Sequence, residues 1–153
     1  MMLCSIPSIR NGLLLAALAL AAVAQTADRP ARPSSPYSCE MVGGERLSGT
    51  QVDVMYRVVP GPITIGKHFA VAMLVCPHAG VTSPASVTVD ATMPEHRHGM
   101  NYKPSVKFEY GGGQGFRYRA EGMMFHMAGS WELKIEVRAG GKIDRLTRRI
   151  VVE

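Results

Sequence analysis

From about residue 38 onward, apolar and polar residues alternate with a period of two, the mark of strands with one buried and one solvated face. Val52, Val54, Tyr56 and Val58 alternate with Asp53, Met55 and Arg57. Val87, Val89 and Ala91 alternate with Thr88, Asp90 and Thr92, and Val106, Phe108 and Tyr110 with Lys107 and Glu109. Phe116, Tyr118 and Ala120 are interleaved with Arg117 and Arg119. Trp131, Leu133, Ile135 and Val137 are interleaved with Glu132, Lys134, Glu136 and Arg138, and Leu146, Ile150 and Val152 close the pattern. The run 69–75 (FAVAMLV) is apolar on both faces, which predicts a central strand. Pro60-Gly61-Pro62, Ala79-Gly80, Gly111-Gly112-Gly113 and Ala139-Gly140-Gly141 separate the strands as turns. No stretch carries a sustained 3.6-residue period. Seven short strands over this span predict an all-β fold, an immunoglobulin-like β-sandwich, with Cys39, Cys76 and Trp131 in its core.

The first residues follow a different pattern. Arg10 supplies a positive start, residues 12–24 (GLLLAALALAAVA) form a short apolar run, and Ala22-Val23-Ala24 is a small-residue cleavage site. This run is short of the roughly 20 residues that a spanning helix needs, so residues 1–24 read as a cleaved signal peptide. Residues 25–37, with Pro30, Pro33, Pro36, Ser34 and Ser35, read as a flexible leader, and 38–153 as one domain. The expected location is across the inner membrane, in the periplasm. Beyond the signal, the cysteines are Cys39 and Cys76. An even pair in an exported chain reads as one disulfide, closing a loop worth about 3–4 kcal/mol. A thiolate metal pair is the competing reading, disfavoured by the wide separation and the oxidising compartment.

Composition changes the picture in one respect. The formal charge of +5 hints at nucleic acid. The strand pattern, however, spreads Arg117, Arg119, Lys134 and Arg138 over solvent faces among acids, with Arg145, Arg148 and Arg149 as the one small cluster. A mixed-sign surface of this kind predicts no nucleic-acid partner. Ten Met and five His are the more unusual counts, and five of the Met and three of the His fall in two short stretches. Residues 91–100 (ATMPEHRHGM) form a long loop between two strands and hold Met93, His96, His98 and Met100. If that loop is extended, His96 and His98 project to one side, and Gly99 lets the backbone turn so that Met100 approaches. Residues 123–127 (MMFHM) precede the Trp131 strand, and there Met124 and His126 share one face, with Met123, Phe125 and Met127 on the other. Imidazole suits Cu(II) and zinc, and thioether suits Cu(I), so a mixed His/Met set in an oxidising compartment points to a copper ion. The candidate ligands are His96, His98, Met100, His126, Met93 and Met124. Met93 before Pro94 also reads as a plug for the end of the sandwich, and Met123, Phe125 and Met127 as packing. His68 and His78 have no partner motif.

These residues carry a resemblance. The order Met93-Pro94-Glu95-His96-Arg97-His98-Gly99-Met100, then Tyr118-Arg119-Ala120, then Met127-Ala128-Gly129-Ser130-Trp131-Glu132-Leu133-Lys134-Ile135, resembles the YtkA-like/FixH-like group of small periplasmic domains. It covers about 87–137. The resemblance implies a seven-stranded immunoglobulin-like sandwich, extracytoplasmic copper handling and, for FixH-like members, assembly of haem–copper oxidases. In this chain Arg97 stands where the group has Gly between the histidines, and Ala128 stands where Pro often precedes Gly129. The N-terminus reads as cleavable, whereas FixH-like proteins keep a membrane helix.

Catalytic motifs are missing from the reading. There is no G-x-S-x-G or P-loop, and residues 111–115 (GGGQG) have no helix after them, so they read as a hairpin turn. Two expectations follow. One is a copper carrier, buffer or metallation accessory that hands its ion to an envelope protein, meets the membrane only through a partner and acts on no small organic substrate. The other is a metal-free interaction module of an envelope complex.

Overall fold

The structure, a computed structural model, describes residues 35–153 together with Met1. The expected signal peptide and most of the leader lie outside the described residues. Nine strands follow in order: β1 (Glu45–Ser48), β2 (Val52–Val59), β3 (His68–Pro77), β4 (Ser86–Met93), β5 (His98–Gly99), β6 (Ser105–Gly112), β7 (Gly115–Met124), β8 (Gly129–Ala139) and β9 (Lys142–Val152). They form two antiparallel sheets, ordered β1-β2-β3-β7-β6 and β5-β4-β8-β9. With the small β1 and β5 set aside, β2-β3-β7-β6 facing β4-β8-β9 is the constant-type immunoglobulin arrangement. All seven strands expected from the alternation are present. Among the described residues no helix is long and apolar enough to cross a membrane.

The core lies between the sheets and is built from the inward set of each strand. Val52, Val54, Val71, Met73, Val75, Tyr118 and Ala120 meet Val87, Val89, Ala91, Trp131, Leu133, Ile135, Val137 and Leu146. At about 25 cal/mol per Å² of apolar surface buried, this layer is the main source of stability. The β6–β7 connection is the expected hairpin, with Gly112 opposite Gly115. The β8–β9 hairpin turns through Gly140 and Gly141 at φ 56° and 74°, which a two-residue turn of this hand requires.

One expectation is corrected. Cys39 and Cys76 are bonded, with Cα atoms 5.8 Å apart, but not inside the sandwich. On β3 the residues Val71, Met73 and Val75 face the other sheet, so Leu74 and Cys76 point outward. There they form a second small core with Cys39, bordered by Tyr37, Met41 and Met55. The segment before β1 therefore covers the back of β3, which is why β3 is apolar on both faces. Ser35 and Tyr37, at the end of the leader read from the sequence, take part: Ser35 Oγ donates to the Pro77 carbonyl at 2.8 Å, and the Tyr37 ring meets Phe116 edge-on at 5.6 Å.

The sheets are tied at one end by a buried acid. Asp144 on β9 follows the inward phase of Leu146 and is only 4% exposed. Its carboxylate accepts from Thr50 Oγ1 at 2.6 Å and from the amides of Gln51 and Val52 at 2.7 and 3.0 Å, clamping the β1–β2 turn. At the other extreme is β6, the end strand of its sheet, exposed on both faces except at Val106. Glu109 is an extra residue there, a bulge between the Phe108–Tyr118 and Tyr110–Arg117 pairs.

Candidate metal centre

The chain reverses after β4. Pro94, whose ring presets a helical φ, opens a single 3-10 turn, Pro94–His96. Arg97 then takes a left-handed conformation at φ 55°, ψ 32°, and its N–H returns to the Pro94 carbonyl at 3.3 Å. This reversal lays β5 back on the end of β4, with His98 opposite Met93 and Gly99 opposite Thr92, and brings the Met100 N–H to the Ala91 carbonyl at 3.2 Å. The loop is thus not extended between the two histidines. The turn at Arg97, not the period of a strand, brings His96 and His98 together, with ring centroids 5.7 Å apart. Gly99 has a different part from the one expected: a Cβ there would come within 3.2 Å of the Ala91 carbonyl, so its missing side chain permits the close strand pairing.

His98 and Met93 are directly paired and so share the face turned to the sandwich. His98 lies 5.1 Å from His126, ring to ring, and 6.0 Å from Trp131; His126 lies 5.4 Å from Trp131. Both imidazoles meet the indole near perpendicular, at 84° and 83°. Behind the indole, Phe125 stacks on it at 4.3 Å and 4°. Trp131 is fully buried and its Nε1–H donates to the Met127 carbonyl at 3.1 Å, which holds the 125–128 loop against β8. His126 is placed by this alternation: Phe125 turns inward to the stack, and the next side chain turns toward His98.

Two ring nitrogens here lack a hydrogen-bond partner although they are buried, His98 Nε2 and His126 Nδ1. Such atoms are uncommon and cost stability unless something pairs with them. The tautomer of His98 is consistent with a bare Nε2. Its Nδ1 faces the His96 carbonyl at 3.4 Å, and a carbonyl only accepts, so the proton belongs on Nδ1 and the lone pair on Nε2. A ring spacing of 5.1 Å is short enough for one nitrogen of each imidazole to reach a shared ion at the usual metal–nitrogen distance of about 2.0–2.1 Å. The residues therefore fit a small soft or borderline ion. Among the described residues, no three His, Cys, Asp or Glu side chains are grouped as a ready-made metal site, so His98 and His126 form a pair with His96 beside it.

The methionines divide. Met100 and Met127 are partly buried against the core at this end of the molecule. Met93 is fully buried in the core, and its Cε lies 2.7 Å from where a Cβ on Gly129 would stand, so it plugs the end of the sandwich under a glycine at φ 123°. Met124 has a different neighbour, paired with His68 across β3–β7, and His68 in turn lies 6.3 Å from the Tyr102 ring. Sequence reading missed Trp131 and Phe125 as walls of the site and assigned Trp131 only to the core. The signal for it was present in the alternation, which puts Trp131 on the buried side of β8, with Phe125 in the loop just before that strand.

Glu95 faces Arg149 at 3.9 Å and Glu132 faces Lys134 at 3.4 Å. A shallow cleft beside His98 is lined by Pro94, Arg97, Glu132 and Lys134. A larger groove, bordered by Val89, Lys103, Pro104, Val106 and Glu136, runs elsewhere, between the edges of β4 and β6, and contains no imidazole or thioether. No family model matches this chain, and neither a curated protein nor a solved structure matches it.

Proposed function

We propose that this domain is an exported copper-binding protein, a carrier, buffer or metallation accessory of the cell envelope. The observation that carries the reading is the pair of buried, partnerless nitrogens, His98 Nε2 and His126 Nδ1, on rings 5.1 Å apart. His96 and Met100 lie on the same short reversal and are the candidate further donors. Copper is favoured over calcium or magnesium because the donors are nitrogen and thioether sulfur, not clustered oxygens. The resemblance to YtkA-like/FixH-like domains and the signal-like start support the same reading, and no turnover belongs to it. The test is a titration of the purified protein with Cu(I) and Cu(II), repeated on His96→Ala/His98→Ala and on His126→Ala. Loss of one equivalent of bound copper in the variants is expected, and equal stoichiometry and affinity in all three proteins would sink the reading.

A metal-free interaction module is the second reading, favoured by the aromatic side chains at the open side of the sandwich. Tyr102, Phe108 and Tyr110 are each more than half exposed. A partner recovered from envelope extract equally well with and without copper, and lost in Phe108→Ser/Tyr110→Ser, would favour it.

A further inference from the structure

The pair His98–His126 has a charge economy that bears on which ion it accepts. Resting on the copper reading above, we propose that the site selects a soft monovalent ion, Cu(I), and turns away divalent zinc and Cu(II). Both candidate nitrogens are buried, and both belong to neutral donors. Two acids stand near this end, and each faces a cation, Glu95 toward Arg149 at 3.9 Å and Glu132 toward Lys134 at 3.4 Å. Arg97 sits between the two histidines in sequence and lines the cleft beside His98, adding positive charge where a divalent ion would need negative. The cost of taking an ion out of water grows as the square of its charge, so a dication bears about four times the penalty of a monocation in the same surroundings.

The walls favour the same choice. Trp131 has its N–H committed to the Met127 carbonyl and offers the site only its ring, backed by Phe125. An aromatic ring attracts a cation without supplying a ligand oxygen or a net charge. Met100 and Met127, partly buried at this end, offer thioether sulfur, which prefers Cu(I) to zinc. A dication would have to recruit water or a carboxylate to complete its shell. A monocation is content with two imidazoles and a thioether.

Trp131 is the one tryptophan of the chain, so its emission reports on this site directly. The experiment titrates the purified protein without oxygen, using Cu(I) in competition with a coloured Cu(I) chelator and Ag(I) as a redox-inert monovalent probe. Zn(II) and Cu(II) are titrated in parallel. Cu(I) and Ag(I) should saturate at one ion per chain and change Trp131 emission, and Zn(II) and Cu(II) should bind at least about a hundredfold more weakly, a difference of some 2.7 kcal/mol. Arg97→Glu should tighten Zn(II) about tenfold while moving Ag(I) far less. Zn(II) or Cu(II) binding within tenfold of Cu(I) overturns the selectivity and leaves the copper reading standing. Binding of Ag(I) with no change in Trp131 emission also overturns it, because the ion then lies away from this wall. If no ion binds, or if His98→Gln and His126→Gln bind all four as the unaltered protein does, the copper reading itself falls and the selectivity with it.

Discussion

Arg97 occupies a left-handed backbone position, φ 55° and ψ 32°, that an arginine adopts at a cost of about 1 kcal/mol or more. The turn needs that conformation, because it is what folds His98 back onto Met93. A glycine would adopt it without steric cost. Arg97→Gly is therefore expected to stabilise the protein by about 0.5–1 kcal/mol, the relief of strain being partly offset by the greater freedom of glycine in the unfolded chain. Equilibrium urea unfolding of the two proteins checks this, and an unchanged or lower midpoint would contradict it.

At the scale of elements, the β1–β2 turn hangs on Asp144. Burial by itself raises the pKa of this carboxyl, but the hydrogen bonds from Thr50, Gln51 and Val52 outweigh it and hold the pKa below the ordinary Asp value. A depressed pKa in the folded state contributes stability that is complete above the unfolded pKa, about 3.9, and is lost as pH falls through the folded value. Thermal unfolding followed from pH 7 to pH 2 should show this loss below about pH 4. Asp144→Ala should remove that part of the acid dependence and cost about 3 kcal/mol at neutral pH, since it strands one hydroxyl and two amides. Six of the seven principal strands were legible from four or more residues in alternation or, for β3, a continuous apolar run, and β9 from the looser spacing of Leu146, Ile150 and Val152. β1 escaped notice because Glu45–Ser48 carries one apolar residue, Leu47, and β5 because two residues have no period. In the site, His96 and His98 were legible as neighbours, although the turn that joins them was not. That His126 meets His98 depends on β8 lying beside β4 and on Trp131 pinning the 125–128 loop, neither of which is a local property of the chain.

For the described residues as a whole, the one run of arginines along the sequence is met by acids. Arg145, Arg148 and Arg149, the one cluster along the sequence, face Glu136, Glu45 and Glu95 at 3.0, 2.6 and 3.9 Å. Exposed pairs of this kind add little to stability. Stability at this scale depends on the two cores and on the bond between Cys39 and Cys76, which closes a loop of 37 residues in sequence separation. Cys39→Ser/Cys76→Ser is expected to lower the unfolding free energy by about 4 kcal/mol, and reductant should lower that of the unaltered protein to the same level. Denaturant titrations with and without reductant decide it. A loss confined to local opening of residues 35–44, read by hydrogen exchange, would instead mean that the outer core adds nothing to the sandwich.

The bulge in β6 has a consequence for how these molecules behave in a crowd. An end strand with Val106, Phe108 and Tyr110 in alternation, exposed along almost its whole length, is a template on which another chain's strand could polymerise. Glu109 breaks the ladder at the middle of that template, and Lys107 and Glu109 put charge on each side of Phe108. The edge is thereby blunted against fibre growth, so crowded copies do not find in it a ready template on which their sheets run on from one molecule into the next.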